Sequence, residues 1–100
     1  MSNEWKKYTG KSLSKPEAEC FYQKEIIDGV FAEIYEYAPF RGMARRWEVS
    51  SQIPEDRSII GETINILIFT YDVLDFERME NDARAVISQL VGEGLTKEVQ

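Results

Sequence analysis

The rhythm of apolar and polar positions changes along this chain, and the changes mark its elements. Near the C-terminus Phe76, Met79, Ala83, Val86, Ile87, Leu90 and Val91 recur with the helical period. That spacing predicts an amphipathic helix over about 75–91. Asp72 or Asp75 can cap its start, and acidic residues crowd the first turns, where the helix dipole favours negative charge. Glu80 and Arg84 are spaced for an i,i+4 ion pair, and Gly92 and Gly94 stop the helix.

Upstream the period falls to two. From Met43 to Gln52 the positions alternate, with Met43, Arg45, Trp47 and Val49 on one face and Ala44, Arg46, Glu48 and Ser50 on the other. This is strand patterning. Pro54 ends the strand, and "PEDRS" makes a loop. The next stretch, "GETINILIFTYDV", puts Ile64, Ile66 and Ile68 on one face and Leu67 and Phe69 on the other. A run apolar on both faces wants cover on both sides, so it reads as the central strand.

Residues 18–38, "AECFYQKEIIDGVFAEIYEYA", admit two readings. Ser14 and Glu17 are spaced as a capping box, Pro16 would fall in a first turn, and Gly29 suits a helix end. That describes a helix over 15–28. Against it, the stripe Ala18, Phe21, Tyr22, Ile26 is interrupted by Glu25, and a strand would have to start directly after Gly29. The other reading makes Asp28-Gly29 a two-residue type I′ turn. It pairs Ile27 with Val30, Ile26 with Phe31, Lys24 with Glu33 and Tyr22 with Tyr35. The hairpin is the preferred reading.

The expected fold is therefore α+β: an antiparallel sheet of three to four strands in a meander, with a C-terminal helix packed on one face. The alternative is an N-terminal helix, three strands and a C-terminal helix. Residues 1–17, with Lys6, Lys7, Lys11 and Lys15 against Glu4 and Glu17, read as a basic, partly flexible arm. Residues 18–92 form the single domain, and 93–100 a short tail. One helix covers only one face of such a sheet. The other face still carries large apolar side chains, which the arm, an N-terminal helix or a second copy must cover. Such a face predicts a homodimer or a protein partner, set against a monomer that covers itself.

Composition narrows the chemistry. A chain of 100 residues suggests one domain. Its net charge of −6 disfavours sequence-blind binding to nucleic acid or to an anionic membrane. There is no histidine, and Cys20 is the only cysteine. Ser-His-Asp and Cys-His arrangements are thus unavailable. Gly10-Lys11-Ser12 lacks the upstream glycine of a phosphate loop. Glu62 sits where a nuclease strand would carry a carboxylate, but Ile64 stands at the lysine position. The acidic group Asp72, Asp75, Glu77, Glu80 and Asp82 lacks calcium-loop spacing with its glycine. It reads as helix capping and a solvated face. Cys20 has no adjacent cation in sequence and reads as a packed side chain. No catalytic residue, cofactor or metal ligand is assigned. The first fifteen residues have no apolar core for a secretory signal, and the longest apolar run, 66–69, is too short for a membrane span. A cytoplasmic location is expected.

These readings converge on a small non-enzymatic binding or regulatory protein acting by protein–protein contact. Inhibitors, antitoxin- or immunity-type proteins, phage-type accessory proteins and small complex subunits share this size and charge. The densest positive stretch, "FRGMARRWEVS", supplies Arg41, Arg46 and Trp47 as candidate partner-binding residues, with Arg41 first because it lies in a turn off both faces. Tyr35 and Tyr37 join them as part of an aromatic platform with Tyr22, although sheet core is the plainer reading of those rings. Glu77 and Glu80 would meet a basic groove. The alternative function is single-stranded nucleic-acid binding through Trp5, Lys6, Lys7, Tyr8, Arg41 and Arg45, which interleave charge with stacking surface.

Overall fold

The computed structural model describes residues 4–12, 15–27 and 29–94. The chain forms β1 (Lys6–Tyr8), β2 (Cys20–Ile27), β3 (Val30–Tyr37), β4 (Arg46–Ile53), β5 (Ile64–Tyr71) and α1 (Phe76–Gly92). One 3-10 turn, Glu55–Arg57, lies between β4 and β5. The strands make a single antiparallel sheet in the order β1-β2-β3-β4-β5. This is the expected meander with a C-terminal helix, enlarged to five strands by β1. Among the described residues no helix is long and apolar enough to cross a membrane.

The helix reading of 15–28 is overturned, because Cys20–Ile27 is a strand paired on both sides. Ser14 and Asp28, which belong to the capping box and to the turn, lie outside the described residues. Gly29 has φ 80, a conformation that favours glycine in the turn, and the Arg57 guanidinium lies close over it. Ile27 pairs with Val30 as expected, but the next pairs are Glu25 with Phe31, Lys24 with Ala32, and Tyr22 with Ile34. Ile26 is an extra residue in β2, and the shift of one moves every later pair of the predicted register. The freed Ile26 carbonyl accepts from Arg84 Nη1 at 2.9 Å, which ties the irregularity to α1.

The face under α1 holds the main core. Tyr22, Ile26, Val30, Ala32, Ile34, Val49, Ile53 and Tyr71 pack with Met79, Ala83 and Ile87 of the helix. Asp75 caps α1 by accepting from the Arg78 amide at 3.1 Å. Lys24 of β2 pairs with Glu80, and Tyr71 of β5 donates to Asp82. The helix is therefore strapped to both halves of the sheet.

The run 64–71 is not the central strand. β5 ends the sheet, with β4 on one side and, among the described residues, no strand on the other. Its register against β4 shifts between Val49 and Ser50: Phe69 opposes Val49, Leu67 opposes Ser50, and Ile68 is left over. Ile64, Ile66 and Ile68 pack toward the core, which accounts for half of the apolar run. The other half is exposed.

Candidate interaction surface

The second face of the sheet is covered unevenly. At the β1 side it carries a cross-strand aromatic row, with Tyr8 opposite Phe21 and Phe21 opposite Tyr35. Ring centroids lie 4.9 Å and 5.7 Å apart along this row. Ala18 packs on Tyr35, Tyr37 and Phe21, so the segment leading into β2 closes this part. Lys15 reaches further, placing Nζ 3.1 Å from Glu48 Oε1. Beyond Lys15 the described residues leave this face uncovered. A cleft of about 440 Å³ opens there, lined by Glu33, Tyr35, Glu48, Ser50, Gln52 and Asn65, with Leu67 of β5 on its wall.

The floor of the cleft is set by internal bonds. The Tyr35 hydroxyl donates to Glu33 Oε1 at 2.6 Å, and Gln23 donates to Glu33 Oε2 at 3.2 Å. Burial first, then the bond to Glu33, raises the Tyr35 hydroxyl well above the usual tyrosine range. Tyr37 is pushed up to about 12, by burial first and then by the charges of Glu48 and Glu17. Both phenols stay neutral near pH 7, and Tyr35 acts as a donor in the cleft, not as a base. Gln52 donates to Asn65 Oδ1 at 3.1 Å across the β4–β5 pair, so the rim nearest β5 is uncharged.

β5 forms the outer limit of this surface. Its eight residues, INILIFTY, include no charge, proline or glycine. Leu67 is 63% exposed and Phe69 56% exposed. Ile59, Ile60 and Val73, in the connections at its two ends, are exposed as well. A long, uncharged edge strand presents unpaired backbone N–H and C=O groups beside apolar side chains, which is the usual template for adding another strand.

The predicted site residues are dispersed. Tyr35, at 2% exposure, and Tyr37 are core residues, and Tyr22 lies on the opposite face under α1. No platform of tyrosines 22, 35 and 37 forms; the register shift at Ile26 separates them. Arg46 lies over the Tyr37 ring at 4.6 Å. Trp47 Nε1 donates to Glu36 Oε1, and Arg45 pairs with both Glu19 and Glu36. Those bonds, with Glu19 foremost, raise the Arg45 pKa. Glu80 is held by Lys24 and Arg84, which lower its pKa in that order of effect. Glu77 is exposed in the first turn of α1. Among the described residues no cluster of three or more His, Cys, Asp or Glu side chains is placed to hold a metal ion.

The arm residues named for nucleic acid are engaged with the domain. Trp5 stacks on Phe76 at 6.1 Å, Lys6 lies over Tyr8 at 5.5 Å and Lys7 over Tyr22 at 5.7 Å. Cys20 is buried, and burial raises its pKa. Arg41 is the residue whose predicted place is most closely matched. Phe40 and Met43 exchange backbone hydrogen bonds of 3.1 Å and 2.9 Å, with Arg41 at φ 49 and Gly42 at φ 80 between them. Two positive φ values make a tight mirror-image turn, and a left-handed arginine costs about 1–2 kcal/mol. Phe40 and Met43 are exposed beside it.

No protein-family description, curated protein or solved structure matches the chain. The surface has therefore to be read from its own chemistry. Apolarity on both faces predicts a central place for the run 64–71, and the structure puts it at the border of the sheet instead. Connectivity carried the better signal: the last strand of a meander is an edge strand.

Proposed function

We propose that the protein is a non-enzymatic binding protein of regulatory or inhibitory type, acting through a protein–protein contact centred on β5. The observation that carries this reading is the open edge itself. Eight uncharged residues lie at the border of the sheet, with Leu67 and Phe69 exposed and a cleft directly behind them. Strand addition at such an edge supplies main-chain hydrogen bonds, and adjoining hollows receive alternate side chains. The missing histidine and the internal engagement of Asp75, Glu80 and Asp82 favour binding over catalysis. The occupant is a protein partner or a second copy, and the exposed Phe40–Met43 turn is a secondary contact with Arg41 at its tip.

The test is affinity capture from the source cell with a Leu67→Lys, Phe69→Lys double variant as control, alongside light scattering of the purified chain. The double variant is expected to lose the captured partner, or the dimer, while keeping its melting temperature. Glu77→Lys should retain it. Retention by the double variant would remove β5 from the function.

A further inference from the structure

The reading above leaves the occupant of β5 open, and the charges around the strand decide it. Glu62 lies just before β5 and Asp72 just after it, and both are exposed. Asp75 and Glu77, both exposed, follow Asp72 along the chain, while the cations at this end are drawn onto rings: Arg78 lies over Tyr71 at 5.7 Å, and Arg46, one residue before the Trp47–Tyr71 pair, lies over Tyr37 at 4.6 Å. An uncharged strand thus runs between two acidic ends.

This arrangement discriminates among partners. A second copy added antiparallel would bring Glu62 of one chain toward Asp72 of the other, at both ends of the pairing. Added parallel, it would set like acids side by side. Like charges brought opposite each other in a sheet are destabilising. A foreign strand with a cation at each end meets an acid in either direction. The eight residues of β5 define the reach, about 27 Å at roughly 3.4 Å per residue.

Resting on the β5 reading, we propose that the natural occupant is a strand-forming segment of another protein. It is uncharged and apolar on alternate residues for the length of β5, with a lysine or arginine at each end. It adds to the edge of the sheet and places alternate side chains beside Leu67, at the mouth of the cleft. The acidic ends select the partner, speed the encounter and set the reach, while the backbone bonds and Leu67 hold it.

Two labelled peptides of alternating valine and threonine, matched in length to β5, test this by fluorescence anisotropy. One carries lysine at both ends and the other glutamate. The lysine peptide is expected to bind at least about tenfold more tightly at low salt, the sum of two modest ion-pair effects. The gap should shrink as salt screens the ends. Leu67→Lys should abolish binding without changing the melting temperature. Equal binding of both peptides, abolished by Leu67→Lys, would overturn the charge selection and leave the β5 edge in place. A dimer of the purified chain that Leu67→Lys dissolves would replace the foreign strand by a second copy. Binding of the lysine peptide that survives both Leu67→Lys and Phe69→Lys would overturn the edge itself.

Discussion

The two edges of the sheet are built on opposite terms. β1 is three residues long, KKY, and two of them are lysines. β5 is eight residues long and carries no charge. Lysine and shortness are the devices by which sheets avoid unwanted pairing, and β1 uses both while β5 uses neither. Their attachments differ as well. β1 and the residue before it are held by rings, Trp5 on Phe76 and Tyr8 on Phe21. β5 is held by Ile64, Ile66 and Ile68 in the core, and by the Tyr71 hydroxyl on Asp82. An edge left open through weak packing would be frayed. Among the described residues β5 is unpaired on its outer side yet firmly attached, which is the state the proposed docking requires.

The largest expected effect tests that attachment. Ile53 is fully buried and pairs directly with Ile64 of β5. Ile53→Ala should cost about 2–5 kcal/mol, from lost burial and the cavity left behind. Tyr8→Ala, which removes the ring that stacks β1 on Phe21, should cost about 0.5–1.5 kcal/mol beyond the area lost. Urea unfolding of the two variants gives the ratio. Equal costs would mean that β1 is as integral as β5, and the comparison would fail.

The straps from α1 sharpen it with pH. On the β2 side the strap is the Lys24–Glu80 pair, with side chains 12% and 22% exposed. Lys24, then Arg84, holds Glu80 below its usual value of 4.5. A lowered carboxyl pKa stabilises the fold above that value, and the stabilisation disappears as pH falls through the folded pKa. Glu80→Gln should therefore cost about 1.5–3 kcal/mol at pH 7, the range for hydrogen bonds to charged groups. The difference from the parent should narrow in urea unfolding as the pH is taken below 4.5. On the β5 side the strap is a phenol. Burial, then Asp82, raises Tyr71, so its contribution is complete below pH 10 and is lost only as pH rises through the raised folded value. Acid should loosen the β2 strap, and alkali the β5 strap. A gap for Glu80→Gln that does not change between pH 7 and acid would contradict the assignment.

How much of this was legible in the sequence depended on the length of each pattern. α1 spans several turns, so its stripe of Met79, Ala83 and Ile87 stood out, and all three are fully buried. The hairpin joining β2 and β3 announced itself through Gly29. The register shifts at Ile26 and Ile68 did not, because each lies beside another apolar residue, in "II" at 26–27 and in "ILIF" at 66–69, where one extra residue leaves no mark on the alternation. β1 was invisible because three residues are too few for a period, and its pairing depends on contacts with β2 made far along the chain. The candidate surface suffered most. Arg46, Trp47 and Glu80 attract attention as charged or aromatic residues, yet each is spent on an internal partner. Leu67 and Phe69 look like core residues and are exposed.

The smallest expected effect exchanges the two edges. Leu67→Lys gives β5 the charge that β1 has, and Lys7→Leu gives β1 the apolarity that β5 has. Both positions are exposed, so each change should move stability by no more than about 0.5 kcal/mol. What separates them is association. Leu67→Lys should remove the proposed site, but Lys7→Leu should create none, because three residues offer too few backbone groups to hold an added strand. Binding of the lysine-ended peptide reads the loss at β5, and light scattering over a concentration series reads any gain at β1. If Lys7→Leu alone makes the chain associate, then charge and not length keeps the β1 edge closed. The eight residues of β5 would then matter less than their lack of lysine.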